Sequence, residues 1–290
     1  MKSLIQQKLL LKNPIIDTYK LQPLVSSELE LSLETPLKIP LLKRVFTFSC
    51  FISSIDGKIA YPDKKSGLFL AGCNYSAEAN EILLDAQYLM LARAISDAII
   101  IGTNSLNIEP KDFIPTISNE FLLKLRTEAK KSVIPTIIIL CQNLANIDFT
   151  YNLFNTNEAT VIICCFKPIN QKVANFTNYN LSDLAHGQSI SAKSIIYINS
   201  NIYDLFIYFY SINLKIILNE SPYYHHLLTQ HKLLDEIWLN YCCSYIGGNT
   251  TMLGQNQESF TTLNHPNTEI LTLHHAGYHF LYSRQKFIYR

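Results

Sequence analysis

Four short segments hold most of the residues through which this chain could do chemistry, and each follows an apolar, strand-like run. They are Ser53-Ser54-Ile55-Asp56-Gly57-Lys58-Ile59-Ala60, Gly102-Thr103-Asn104-Ser105-Leu106-Asn107-Ile108-Glu109, Glu220-Ser221-Pro222 and Gly247-Gly248-Asn249-Thr250. Small residues let backbone N–H groups approach an anion, and a helix opening at Pro222 adds the partial positive charge of its N-terminus. In an open α/β sheet, ligands bind beyond the carboxyl ends of the strands. Four such ends, carrying Gly, Ser, Thr and Asn together with Asp56, Glu109 and Glu220, predict one shared polar cleft suited to a phosphate-bearing ligand.

Other constellations point to structure. The seven cysteines, Cys50, Cys73, Cys141, Cys164, Cys165, Cys242 and Cys243, include no CxxC and none at finger-like spacing from a His pair. Most lie in apolar runs, where a free Cys behaves as a small hydrophobe, so a reduced core is expected. His225, His226 and His231 share one predicted helix, but 226 and 231 are off the i, i+4 face that a metal pair needs. His274, His275 and His279 fall in a predicted strand or turn, and no metal is expected. The aromatic run Tyr203 to Tyr210 interleaves with Ile and Leu and lacks basic residues, so it reads as core rather than a base-stacking platform. Lys124 to Lys131 reads as a solvated helix face.

The elements that must position the four segments alternate along the chain. Arg44–Ser53 reads as the first core strand, with a turn at Asp56-Gly57. A helix is predicted over Ala77–Ala94 with Ser76 as cap, then a strand over Asp97–Gly102 buried on both faces. Ser118–Lys131 reads as helix, and Ile134–Cys141, Thr160–Phe166 and Ile195–Ile198 as strands. Ile202–Asn213 is predicted helical, Leu214–Asn219 a strand, and Pro222–Leu234 a helix with Pro in its first turn. Glu236–Ile246 and Glu269–Arg290 read as long strands with no helix between them, consistent with antiparallel pairing at the sheet edge. Residues 142–158 and 170–193 are polar and read as loops. Such alternation predicts an α/β fold, a mostly parallel mixed sheet flanked by helices, with antiparallel C-terminal strands.

Composition narrows the function. The 290 residues carry 24 Lys plus Arg against 23 Asp plus Glu, and this balance argues against a nucleic-acid partner. The N-terminus lacks the apolar stretch and cleavage site of a signal peptide. The longest apolar stretch, Ile202 to Leu218, holds Asp204 and Lys215, so neither a membrane nor an exported protein is expected and a cytoplasmic one is. Residues 1–40, with Pro14, Pro23, Pro36 and Pro40, read as an N-terminal leader segment, and 41–290 as one domain.

Three ordered blocks carry a resemblance. Ser54-x-Asp56-Gly57-Lys58 resembles the SxDGK/R signature of the riboflavin-biosynthesis pyrimidine reductases, whose fold is dihydrofolate-reductase-like. Arg93-x-x-x-Asp97-Ala98 and Gly102-x-x-Ser105-x-Asn107-x-Glu109 are similar to that family's R-x-x-x-D-A run and G-x-x-T-x-R-x-E loop. Pro222, then Leu234-Asp235-Glu236, then Gly247-Gly248 resemble its G-G-P, L-x-D-E and G-G pattern. The likeness covers about residues 44–110 and 214–250. It departs from the family at Asn107, which stands for an Arg, and at Cys243, which stands for a Pro. Without a gap, Asn219 takes the place of the family Glu and Glu220-Ser221 that of its two glycines; with one gap, Glu220 is the family Glu and one Gly is lost.

The resemblance implies NADPH-dependent reduction of a phosphorylated ribosylamino-pyrimidine to its ribitylamino form, with hydride delivered to the sugar C1′. It implies that Ser54, Asp56 and Lys58 face substrate, with Glu109 contacting either ligand or bracing its loop. Gly102, Thr103, Ser105, Ser221, Gly247 and Gly248 would line the cofactor, and a homodimer is expected. No residue is singled out as catalytic. Asp235 and Glu236 read as structural at the helix-to-strand corner. The His-x-Glu and Pro-Cys-x-x-Cys of the zinc deaminase in bifunctional members are missing from this sequence. Two other readings stay open: a non-catalytic relative that binds a nucleotide or protein partner, and a reductase for another heterocycle such as a pterin.

Overall fold

Strands that are apolar on both faces need cover on both faces, and this sheet has it. The computed structural model describes residues 8–15, 37–40, 42–249, 252–255 and 257–290. Most of residues 1–40 therefore lies outside the described residues. Among the described residues the strands form one 11-stranded sheet. They are β1 (Lys8–Lys12), β2 (Phe46–Ser54), β3 (Ala98–Gly102), β4 (Thr136–Cys141), β5 (Val161–Cys165), β6 (Thr177–Asn180), β7 (Lys193–Tyr197), β8 (Ile216–Asn219), β9 (Glu236–Cys242), β10 (Asn267–Ala276) and β11 (Phe280–Ile288). The order is β1-β10-β11-β9-β2-β8-β3-β4-β5-β7-β6. From β9 across to β6 every pairing is parallel; β1, β10, β11 and β9 pair antiparallel.

The helices are α1 (Leu68–Gly72), α2 (Ala79–Ile95), α3 (Thr103–Asn107), α4 (Glu120–Glu128), α5 (Asn152–Asn155), α6 (Ile202–Ser211) and α7 (Pro222–Gln230). The period-2 alternation of the strands feeds two cores. Ile99, Ile101, Ile137 and Ile139 pack with Tyr88 and Leu91 of α2 and Leu122 and Leu125 of α4. Ala98, Ile100, Ile138 and Leu140 pack on the other side with Leu205, Phe206 and Phe209 of α6 and Tyr224 and Leu228 of α7.

Several local expectations are corrected. The N-cap of α2 is Glu78, not Ser76, because Glu81 reaches back to accept the Glu78 N–H at 2.9 Å. Helix α7 stops at Gln230, short of Leu234. Lys232 takes φ 51°, and Leu233 N–H closes on Leu228 O, a left-handed C-terminal stop. The long strand Glu269–Arg290 is the hairpin β10–β11, turned at Gly277. Strand β9 ends at Cys242, before Ile246. Short elements interrupt stretches read as loops: α5 within 142–158 and β6 within 170–193. Of the leader, β1 adds to the sheet edge beside β10. The corner residues are structural. Asp235 accepts both terminal nitrogens of Arg44 and the Thr47 N–H, and Glu236 is buried against Arg284 and the Trp238 indole N–H.

Candidate functional site

The four polar segments leave the sheet at one rim. Strand β8 lies parallel between β2 and β3, and β9 runs parallel to β2, so their carboxyl ends point the same way. Two cavities open there. An outer groove of about 910 Å³ is lined by Gly102, Thr103, Asn104, Ser105 and Ser221 among others. An inner cavity of about 230 Å³ lies between α2 and the ends of β2, β3 and β9. Lys65, Ser105, Ile108 and Pro222 line both, which makes them one two-compartment cleft.

The outer groove is built by the close approach of two helix starts. Gly102 ends β3 and precedes α3; Ser221 caps α7, its Oγ accepting the Tyr224 N–H at 3.4 Å. A Cβ on Gly102 would sit 2.5 Å from Ser221 Oγ, so only the smallest residue admits this contact. The first amides of a helix have no partner within it, and those of α3 and α7 begin at this groove. Around them stand the hydroxyls of Thr103 and Ser105 and the amides of Asn104, Asn107, Gln142, Asn146, Gln255 and Gln257. Lys65 is the one charged side chain among the described lining residues. This donor-rich, largely neutral set suits the phosphates of a dinucleotide, held by dipoles more than by cations.

Glu220 lines the inner cavity and is not a lining residue of the groove. Arg93 holds it with two parallel bonds, Nε to Oε1 and Nη2 to Oε2, both 2.7 Å, and each side chain is only 13% exposed. Burial works against the Arg93 charge, yet the Glu220 carboxylate more than offsets it, and the guanidinium pKa is raised. Asn219 instead turns into the core, donating to Ser49 Oγ at 2.9 Å and Ser221 O at 3.0 Å. The carboxylate at this rim is thus Glu220, and its partner keeps its charge from facing a ligand phosphate alone. Glu109 also lines the inner cavity, half-buried, and burial raises its pKa against the opposing pull of Arg93.

Ser54, Asp56 and Lys58 line neither compartment. Ser54 Oγ donates to Asp56 Oδ1 at 2.6 Å and accepts the Lys58 N–H at 2.9 Å. Asp56 accepts the Ile246 N–H at 3.2 Å and the Gly247 N–H at 2.8 Å. The Ser54 hydroxyl, helped by those amides, holds the Asp56 carboxyl down to about 2. These residues latch the turn after β2 to the loop after β9. Lys58 Nζ lies 3.2 Å from Sδ of Met252, a groove residue. Gly247 and Gly248, both left-handed at φ 73° and 63°, belong to the latched loop and line neither compartment. Of the residues expected at the site, the cleft therefore gathers Gly102, Thr103, Ser105, Ser221 and Glu109.

Residues not expected at the site also line it: Lys65 and the amides of the outer groove, and Arg93, Asp85, Asn240 and Cys50 inside. Asp85 had a visible signal. It falls in phase with Tyr88 and Ala92 on the core stripe of α2, where a lone carboxylate is out of place. Among the described residues no cluster of three or more His, Cys, Asp or Glu could hold a metal, and no helix is long and apolar enough to cross a membrane.

No protein-family model and no curated protein sequence matches this chain. Solved structures do. The fold is similar to a pyrimidine reductase-like protein from Corynebacterium diphtheriae, with TM-score 0.63 and 18% identity over 85% of this chain and 93% of that one. It is also similar to a diaminohydroxyphosphoribosylaminopyrimidine deaminase/5-amino-6-(5-phosphoribosylamino)uracil reductase from Thermotoga maritima, with TM-score 0.58 and 12% identity over 84% of this chain. The chain spans only 57% of the length of that protein. The riboflavin biosynthesis reductase Rib7 of Saccharomyces cerevisiae matches with TM-score 0.50 and 10% identity, over 87% of this chain and 93% of that one. The fold is that of the riboflavin-pathway pyrimidine reductases.

Proposed function

We propose that this chain uses NADPH to reduce a phosphorylated ribosylamino-pyrimidine to its ribitylamino form, a step of riboflavin biosynthesis. One observation carries the reading: a donor-rich groove of about 910 Å³ opens, through Lys65, Ser105, Ile108 and Pro222, onto a smaller polar cavity of about 230 Å³. A dinucleotide fits the first and a heterocycle the second, so the two reactants would meet at their junction. When bound, the dihydronicotinamide supplies a hydride, taken up at the sugar C1′. Gly102, Thr103, Ser105 and Ser221 would hold the cofactor phosphates, with Lys65 the charged side chain among the described residues that line the groove with them. Glu109, whose carboxyl keeps its proton more readily than a free glutamate, faces substrate in the inner cavity. Ser54, Asp56 and Lys58 shape the rim that both ligands cross, and Gly247 and Gly248 give that rim its bend.

The test is NADPH oxidation followed by absorbance with 5-amino-6-(5-phosphoribosylamino)uracil. Turnover that needs both reactants is expected; none at saturating substrate overturns the reading. That Lys65 is the one charged side chain among the described groove residues favours, as a second reading, a non-catalytic relative that binds a nucleotide or a protein partner. Fluorescence titration separates them, since binding weaker than millimolar supports the second. A homodimer belongs to the first reading: Tyr278, at the β10–β11 turn, is 94% exposed, and sizing chromatography checks whether such a surface is shared.

A further inference from the structure

The floor of the inner cavity holds a buried carboxylate that no cation pairs with, Asp85, and the amide that fixes it, Asn240. Asn240 on β9 donates Nδ2 to Oδ1 of Asp85 on α2 at 2.7 Å. The carboxylate thereby fixes the amide, turning its nitrogen inward and leaving Asn240 Oδ1 buried with no partner. Among the described residues Asp85 makes only that one hydrogen bond, through Oδ1, and no basic side chain pairs with it; its Oδ2 is not one of the sealed unpartnered atoms. Both residues are buried, at 7% and 2% exposure, and both line the cavity. Burial pushes the Asp85 carboxyl up to about 6, against the pull of the Asn240 hydrogen bond. Buried polar atoms are almost always satisfied; Asn240 Oδ1 is an exception, sealed beside the equally unpartnered hydroxyl of Tyr282, its cross-strand neighbour, so the acceptor the cavity offers a ligand is Asp85. The remaining lining is largely apolar, with Phe51, Ile52, Leu89, Ile101 and Phe113 beside the Arg93–Glu220 pair, which satisfies itself. The volume is roughly that of seven or eight waters at about 30 Å³ each, room for one six-membered ring with its substituents.

We propose that Asp85, oriented by Asn240, is the acceptor that recognises a ring N–H group of a planar nitrogen heterocycle, and so sets which base the cleft accepts. A carboxylate oxygen accepts, so the matched ligand edge carries a donor; a ring whose nitrogens bear methyl groups offers none. This inference rests on the reading of the cleft as a substrate site. Its test uses neither dinucleotide nor turnover, so that it fails or stands independently of the reductase assay.

The full chain is titrated calorimetrically with 5,6-diaminouracil and with its 1,3-dimethyl analogue, which lacks both ring N–H groups. The parent compound is expected to bind about ten-fold more tightly or better, the scale of leaving buried acceptors unpaired. Asp85→Asn, which keeps shape and still accepts from Asn240, should bring that ratio close to one, and Asn240→Leu should lower it. Steric exclusion of the methyl groups alone would leave the ratio intact in Asp85→Asn, and that result overturns the proposal. Equal binding of both compounds to the unaltered chain, or binding of neither, overturns it as well.

Discussion

Replacing Asp85 by Asn should stabilise the protein, increasingly so as pH rises. The carboxyl titrates near 3.8 when unfolded and at about 6 in the folded chain, with burial as the main cause. Between these values the native state binds more protons than the unfolded state, so this residue removes stability as pH increases. A shift of about 2 pH units corresponds to roughly 3 kcal/mol, absent below the unfolded pKa and fully felt above about pH 7. Asn keeps the hydrogen bond from Asn240 and carries no charge to desolvate. The variant should therefore match the unaltered chain at pH 3.5 and exceed it by about 3 kcal/mol at pH 8.

Urea unfolding of both proteins across that range measures the difference directly. The groups packed around Asp85 do not blur the comparison. The thiol of Cys50 and the phenols of Tyr88 and Tyr282 are all pushed up by burial and stay neutral across the range, and Arg93 stays paired with Glu220. His225, held down to about 3 by burial, makes both proteins acid-sensitive to the same extent and cancels. A difference that is flat with pH, or largest in acid, would refute the account of Asp85 as an unpaired buried carboxylate. A gain in stability joined to a loss of heterocycle discrimination would mark a residue retained for binding against its folding cost.

Other substitutions probe the rest of the cleft. Gly102→Ala places a methyl group 2.5 Å from Ser221 Oγ; loss of the α7 cap costs about 1 kcal/mol, and thermal unfolding should fall while NADPH titration weakens at least ten-fold. Arg93→Met leaves Glu220 buried and uncompensated, costing about 3–5 kcal/mol in urea unfolding, and adding Glu220→Leu should recover most of it. Lys65→Ala removes the one charged side chain among the described groove residues, so NADPH affinity should fall about five-fold and lose most of its salt dependence. If titration shows the same salt dependence without Lys65, the cofactor phosphates lie elsewhere.

The sheet was legible because its cause is local. Ala98 to Gly102 and Ile137 to Cys141 are apolar without interruption, and only a strand covered on both faces accommodates that, so β3 and β4 end where the sequence predicts. The start of α7 was equally plain, from Pro222 in the first turn. Its end was not, because the stop is a left-handed Lys232, a residue with no preference for that conformation. Strand β6, Thr177–Asn180, is mostly exposed and polar and joins the sheet only by pairing with β7, so no hydrophobic pattern marks it. The cleft divides the same way. Gly102 and Ser221 announce themselves through what turns and caps require. Arg93–Glu220 and Asp85–Asn240 join residues 127 and 155 positions apart, and only the fold brings them together.

Sequence motifs and ligand contacts need not be the same residues. Asp56 stands in the most recognisable motif of the chain, yet its carboxylate is occupied by Ser54 and the amides of Ile246 and Gly247. Turn chemistry demands specific residue types at fixed offsets, so a latch of this kind leaves a strong sequence signature whatever crosses it. Charge is also distributed unevenly. Among the described residues the outer compartment holds neutral donors and one lysine, Lys65, which it shares with the inner; the inner also holds three carboxylates, Asp85, Glu109 and Glu220, with Arg93 engaged by one of them. A phosphate entering the inner compartment would meet net negative charge, at a cost of the order of 4 kcal/mol for one unit pair ~4 Å apart at an effective dielectric near 20. A base with N–H donors would instead meet acceptors there. On the proposed function, the polarity of the two compartments would orient a two-part ligand set with phosphates outward along α3 and α7 and the heterocycle inward against α2 and β9.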